Sequence, residues 1–319
     1  MMSTEKAAPQ QCVFINQNAT TPPPLPSNEG STRALSRRNR VYVYRDFLLS
    51  KLPPPSTTSP NAPCNNILDV AGGRGDLSWL LHNVDGLTST IADPRLPNHK
   101  SLIKSTEFLL DHPEEAAVRA VEGRPTHQPL AKLLPRLIEN CGRGRDEKVC
   151  LSIPCHLRIH VDDRLVQTVK RVFCDNERSE DKRMSVWNEY WQQERLRIEP
   201  NNTEIHPQQD QKQHITNSRK AYETIRSLDY IAGFHPDQAT EAAIDLALFL
   251  KIPWSVVPCC VFPKEFPSRQ IDGSRVKSHS QLIDYLCRKH ERIRKGVLPF
   301  VETATAKNIV LFMLSEDYD

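Results

Sequence analysis

The chain of 319 residues reads as an α/β fold with a mostly parallel sheet, and three observations predict it. Residues 66–81 run from a short apolar segment through a glycine-rich turn into an apolar pattern at helical spacing, which is strand, turn, helix. A second short apolar run ends on Asp93, which lies 93 − 69 = 24 residues after Asp69, about the length that a βαβ unit needs. From Ser227 onward, apolar runs alternate with helical periodicity, the pattern of strands joined by crossover helices.

Taken in order, residues 1–33 are rich in Pro, Ser, Thr, Asn and Gln and are expected to form a disordered tail. Residues 34–319 are expected to be one domain. It opens with a helix over 34–55, whose apolar face carries Tyr42, Phe47, Leu48 and Leu49 and which Pro53-Pro54-Pro55 stops. Arg37, Arg38 and Arg40 at its start can meet phosphates or form a solvated basic end. Ile67, Leu68 and Asp69 form the first strand, Gly72, Gly73 and Gly75 the turn, and Leu77, Leu80 and Leu81 the inner face of the next helix. Thr88 to Asp93 is the second strand.

Residues 97–226 carry a weaker signal and are read as core elements with insertions. Lys104–Leu110, Leu130–Ile138 and Arg183–Asn202 look helical, and Val149–Ile153 and Val169–Phe173 look like strands. The third parallel strand has no firm place. Beyond, Leu228–Gly233 is a strand, Phe234–Asp237 a turn, Thr240–Lys251 a helix, and Ile252–Val257 the next strand. Ser278–Arg292 is a helix, and Val297–Val301 and Asn308–Leu314 are the last two strands.

The turn after the first strand is built to approach a ligand. Glycines admit positive φ and close backbone contact, and a helix start offers free N–H groups. A dinucleotide site wants glycine where Ser78 stands, and Asp76 at the helix start repels a pyrophosphate, so NAD is disfavoured. Asp76 is better placed as the helix N-cap. A cationic ligand without phosphate suits the turn better.

This stretch resembles motif I of the class I S-adenosylmethionine (SAM) methyltransferases, a hydrophobic strand followed by acidic-x-Gly-x-Gly-x-Gly. Asp69, Gly73 and Gly75 match, Gly72 lies within the turn, and Ala71 replaces the first glycine as a mild departure. Asp93 falls at the motif II position, where an acid binds both ribose hydroxyls. Otherwise Asp93-Pro94 only starts a turn. The resemblance implies a Rossmann-like fold whose final strand pairs antiparallel, with SAM as cofactor.

His235-Pro-Asp-Gln occupies the place of motif IV, where such enzymes hold the acceptor. His235 suits proton removal from a hydroxyl or ring nitrogen, and Asp237 can orient the imidazole, contact the SAM amino group or cap the next helix. Cys259 and Cys260 end the following strand. Cytosine-C5 methyltransferases place a nucleophilic cysteine there, although their Thr-Cys-Ser setting is missing and a structural role for two small buried cysteines competes. Gly233, His235, Ala239, Thr240 and Glu241, with Val256-Val-Pro-Cys-Cys-Val-Phe-Pro263, resemble a group of eukaryotic methyltransferase-domain proteins. More distantly, they are similar to the tRNA acceptor-stem 2′-O-methyltransferases, whose zinc-finger modules this chain lacks.

The implied activity is methyl transfer to an acceptor near His235 and Cys259, with RNA the preferred substrate class and protein or small molecules the alternatives. A scaffold that holds SAM without catalysis and an NAD(P)-dependent oxidoreductase compete. The intact glycines speak against the first, and Ser78 and Asp76 against the second. Arg269 and Lys277 are further candidate phosphate contacts. The formal net charge of +3 neither requires nor excludes RNA. No apolar run reaches membrane-spanning length. Nine scattered cysteines without a secretory signal favour reduced thiols in the cytosol or nucleus. Cys141, Cys150 and Cys155 near His156 and His160 match no common zinc finger, so no metal is expected.

Overall fold

A computed structural model describes residues 37–52, 66–122, 128–142, 149–174, 179–200, 218–303 and 307–319. The expected tail over 1–33 and the proline stop at 53–55 lie outside them. A seven-stranded sheet organises these residues. Its strands are β1 (Ile67–Val70), β2 (Ser89–Ala92), β3 (Cys155–Leu157), β4 (Tyr230–Phe234), β5 (Trp254–Val257), β8 (Arg294–Val297) and β9 (Ile309–Met313), and β6 (Gln270–Ile271) with β7 (Ser274–Arg275) forms a separate hairpin. The order is β3-β2-β1-β4-β5-β9-β8. The first five run parallel, and β9 is antiparallel to both β5 and β8. The molecule is therefore α/β with a mostly parallel sheet and antiparallel strands at one edge, compatible with a Rossmann-like fold.

Parallel strands covered on both faces need side chains that are apolar on both faces. Strands β1, β2 and β5 are buried along their whole length. In β4, Tyr230 and Ala232 point into one core and Ile231 into the other, the period of two that a pleat imposes.

Helices α1 (Arg37–Lys51), α2 (Asp76–Asn83), α3 (Lys100–Asp111), α4 (Pro113–Glu122) and α5 (Gln128–Cys141) supply the core that contains Tyr44, Leu80, Leu134 and Val257. Helices α6 (Asp163–Phe173), α7 (Glu180–Ile198), α8 (residues 218–226), α9 (Thr240–Leu250) and α10 (His279–Cys287) supply the core on the other face, around Val166, Trp187, Tyr222, Ala243, Trp254 and Leu282.

Several expectations for the middle of the chain change. The third parallel strand is Cys155–Leu157, paired with β2. Val169–Phe173, read as a strand, is the last turn and a half of α6: Leu165, Val166, Val169 and Val172 are buried at helical spacing, and β-branched residues do not prevent a helix when one face is wholly covered. Residues 149–153 hold only an isolated bridge at Val149. One of the last two strands shifts too. The helix from Ser278 stops at Cys287, and β8 takes Arg294–Val297 where Val297–Val301 was expected, while β9 stands where its apolar run placed it.

Helix α1 is tied to the sheet's centre. The buried Tyr44 hydroxyl donates to the Ser255 carbonyl at 2.7 Å and accepts the Gly233 amide at 3.1 Å, linking the helix to β4 and β5. Arg40, read as a basic helix end, is buried in the fold. The side chains of Arg37 and Arg38 lie outside the described set.

Candidate functional site

The carboxyl end of β1 is a turn that little but glycine can make. Ala71, Gly73 and Gly75 all have positive φ, at 52°, 58° and 78°. Ala71 is therefore a larger departure than its single methyl group suggests, because left-handed backbone costs an L-residue about 1–2 kcal/mol. Gly72 is required for space: a Cβ there would sit 2.7 Å from Asp69 Oδ2. Gly75 is required twice over, since a Cβ would meet His99 Cε1 and Ile91 Cδ1 at 2.5 Å each. Gly73 differs. Its Cβ would have nothing nearer than 3.9 Å, so the turn opens above it. Gly75, not Asp76, is the N-cap of α2, and Asp76 is the first helical residue without a capping bond. Its carboxylate still lies in the first turn, where a pyrophosphate would have to come.

Asp69 lies beneath the turn, fully buried. Its Oδ2 accepts from the Ser78 hydroxyl at 2.9 Å, and Ser78 Oγ also meets Ser89 Oγ at 2.9 Å. The place where a dinucleotide fold needs glycine is thus filled by a side chain that holds the motif's own acid. Burial pushes the Asp69 carboxyl up to about 7, against the lowering pull of the Ser78 bonds.

Asp93 ends β2 beside the turn. Its Oδ2 accepts the Gly73 amide at 2.9 Å and Arg95 Nη2 at 3.2 Å, and its Oδ1 accepts the Arg95 amide at 2.8 Å and Nε at 3.1 Å. Burial works against ionisation here, yet the Arg95 and Gly73 bonds together hold the carboxyl below its ordinary value. The structure brings Asp69, Ala71, Gly72, Gly73, Gly75 and Asp93 into one cradle.

Three further residues join the cradle that the motif did not single out. Arg95 covers Asp93 with a side chain 73% exposed. His156 on β3 bonds the Asp93 carbonyl at 2.8 Å through Nε2. His99, packed on Gly75, is buried, and neither ring nitrogen has a hydrogen-bond partner among the described residues. Burial lowers its pKa, opposed by the nearby Asp76 carboxylate. Only the distance of His99 from the motif hid it: no spacing rule links residue 99 to residue 75.

The second group stands past the ends of β4 and β5, which pair in parallel with Phe234 opposite Val257. His235 and Asp237 both have positive φ, at 56° and 47°, a conformation that side-chain-bearing residues hold only when their surroundings force it. His235 stacks on Phe234 with ring centroids 4.3 Å apart, and its Nε2 lies 2.8 Å from the Lys307 carbonyl. A carbonyl only accepts, so Nε2 carries the proton and a neutral ring keeps its lone pair on Nδ1. No side-chain cap bond forms at the start of the next helix. Asp237 Oδ1 accepts from Cys259 Sγ at 3.1 Å.

Burial and the Asp237 carboxylate both push the Cys259 thiol well up. It stays protonated at neutral pH, which is not the state of an activated nucleophile. Cys259 is half-buried and Cys260 exposed, not a buried structural pair. The bond and charge of Asp93 raise the pKa of Arg95, and the Asp237 charge adds a smaller push in the same direction, so the two groups share one field.

Other candidates part company with the site. Arg269 is buried, donates to Glu241 at 2.7 Å and to the Val261 carbonyl at 3.0 Å, and lies over the Phe266 ring, so it anchors a loop and meets no phosphate. Lys277 is exposed. Cys141 bonds the Asn83 carbonyl, His156 bonds Asp93 and His160 bonds Glu194. The seven described cysteines are free. No helix among the described residues is long and apolar enough to cross a membrane.

Comparison of the chain with protein-family models, with curated proteins and with solved structures returns no match.

Proposed function

We propose that the protein is a SAM-dependent methyltransferase of the class I type. One observation carries this reading. Strand order reverses between β1 and β4, and ligands of open α/β sheets bind in the crevice beyond the carboxyl ends at such a point. The glycine turn lies at the end of β1 and His235 at the end of β4, so the two motifs noted in the sequence flank that crevice. The sheet order and the antiparallel β9 fit the same fold.

The residues present suit the cofactor. Gly72, Gly73 and Gly75 let the backbone approach, the open space above Gly73 leaves room, and Asp93 is an ionised acid for ribose hydroxyls. SAM supplies a methyl group on a cationic sulfur, and the acidic residues Asp76 and Asp93 at the cradle match that charge. The protein's own part is positioning and removal of one acceptor proton. His235, held by Phe234 and Lys307, presents Nδ1 as the basic nitrogen.

RNA as acceptor is supported by a groove of about 520 Å³ lined by Lys100, Ser101, Lys104, Ser105, Phe108 and Arg119. Its cations, Lys100, Lys104 and Arg119, suit phosphates.

Isothermal titration with SAM, NAD and NADP tests the reading, repeated on Gly73→Arg, where the side chain meets open space. SAM binding that the substitution abolishes is the expected result, followed by radiolabelled methyl transfer to RNA. A folded protein that binds no SAM overturns the proposal.

A further inference from the structure

Asp237, Cys259 and Cys260 offer one carboxylate oxygen and two sulfurs that all lie within 4.8 Å of one another. It is the one such group of three among the described residues. We infer that these residues form a binding site for a thiophilic divalent cation of the zinc class.

The argument is geometric. Zinc–sulfur bonds are about 2.3 Å and zinc–oxygen bonds about 2.0–2.2 Å, which put tetrahedral donors roughly 3.5–4 Å apart. The spacing seen here lies within a small side-chain adjustment of that, and the Cys259–Asp237 pair at 3.1 Å is already closer. Topology produces the arrangement. Parallel pairing of β4 and β5 brings residues 237 and 259 past adjacent strand ends. The left-handed backbone of Asp237, with φ 47°, accompanies the approach of its carboxylate to the sulfurs.

The three groups bond only weakly to one another through thiol hydrogens, and their donor atoms face a common point. Cys259 donates to Asp237, and Cys260 bonds within the same trio, while Cys260 and Asp237 stand open to solvent. On binding, each thiol gives its proton to solvent and the sulfur lone pair to the cation, so one divalent ion replaces two protons. Two thiolates and a carboxylate leave a fourth tetrahedral position for a water or another oxygen ligand, as catalytic zinc sites do. The inference does not depend on SAM binding.

Cadmium is the probe, because cadmium–thiolate bonds absorb in the ultraviolet. One equivalent of Cd²⁺ added to the reduced full chain is expected to give a band of two thiolates per ion, which zinc competes away. Cys260→Ser, an exposed and fold-neutral change, is expected to halve the band or remove it. Asp237→Asn should weaken binding on the order of tenfold, as loss of a charged ligand does. Zinc-free titrations with SAM on the same samples separate failure of this site from failure of the cofactor cradle. An unchanged band in Cys260→Ser and in Cys259→Ser, with thermal melts showing both folded, would overturn the inference by assigning the cadmium to other thiols.

Discussion

The two ends of the crevice are made in different ways. At β1 and β2 the backbone does the work: three glycines, an alanine forced into left-handed geometry and two buried acids lie within 25 residues, 69–93. At β4 and β5 side chains do most of it: His235 and Asp237, with Cys259 22 residues on from Asp237 and the Lys307 carbonyl 72 residues on from His235. At Gly72 and Gly75 the first end has no room for a Cβ, whereas the second tolerates changes of side chain but depends on the register of two strands. A cradle of this kind suits one fixed ligand, and a side-chain end of this kind can be adapted to different acceptors.

The largest test of that contrast is Gly75→Val. It puts a β-branched residue at φ 78° against His99 and Ile91, and strain plus overpacking amount to about 2–5 kcal/mol. Chemical denaturation should show most of the stability gone. A near-native midpoint would mean that the turn is softer than described.

Next comes pH. The folded Asp69 carboxyl titrates at about 7, above the ordinary 3.8, so the native state keeps a proton that the unfolded chain releases. Its contribution is therefore full at low pH, falls as pH rises from 3.8 to about 7, and levels off above. Three pH units correspond to about 4 kcal/mol. The stability difference between wild type and Asp69→Asn should move in favour of the variant by up to that amount across this window. A difference independent of pH would remove the buried-acid account of the cradle.

Tyr44→Phe probes the other end from beneath. It strips a partner from the buried Gly233 amide and Ser255 carbonyl, a loss of about 1–3 kcal/mol in denaturation midpoint without any change at the glycine turn. The smallest effect concerns Arg95. Its exposed guanidinium occupies two of the positions around Asp93 that ribose hydroxyls would use. Arg95→Ala should tighten SAM binding a few-fold by calorimetry. Weaker binding would show that Arg95 orders Asp93 for the ligand and does not compete with it.

How much of this was legible in the sequence follows the same division. Asp69, the glycines and Asp93 were readable because a strand, a tight turn and a crossover fix their spacing. β4, α9, β5 and β9 were readable because their apolar runs are unbroken. The strand β3 was not: it has three residues, only Leu157 buried, and its hydrogen bonds to β2 identify it where composition does not. Val169–Phe173 misled because β-branched residues prefer strands, and burial of one helical face overrode that preference. The bond from Cys259 to Asp237 was not legible, because it joins residues 22 positions apart that only the pairing of β4 and β5 brings together. His99 and Arg95 carry no motif at all. Their place depends on how the segment after β2 folds back over the turn, where the Asn98 amide bonds the Arg74 carbonyl.

The position of β9 has a consequence for how the molecule is assembled. In the main sheet β8 pairs only with β9, and β9 alone joins it to β5. Residues 294–297 have no strand to receive them until residues 309–313 slot between them and β5. Everything up to β5 can associate before then. The closing step is a single insertion that seals one flank, and a slow or weakened β9 leaves two unprotected edges at once, the circumstance in which nascent chains find each other instead of themselves.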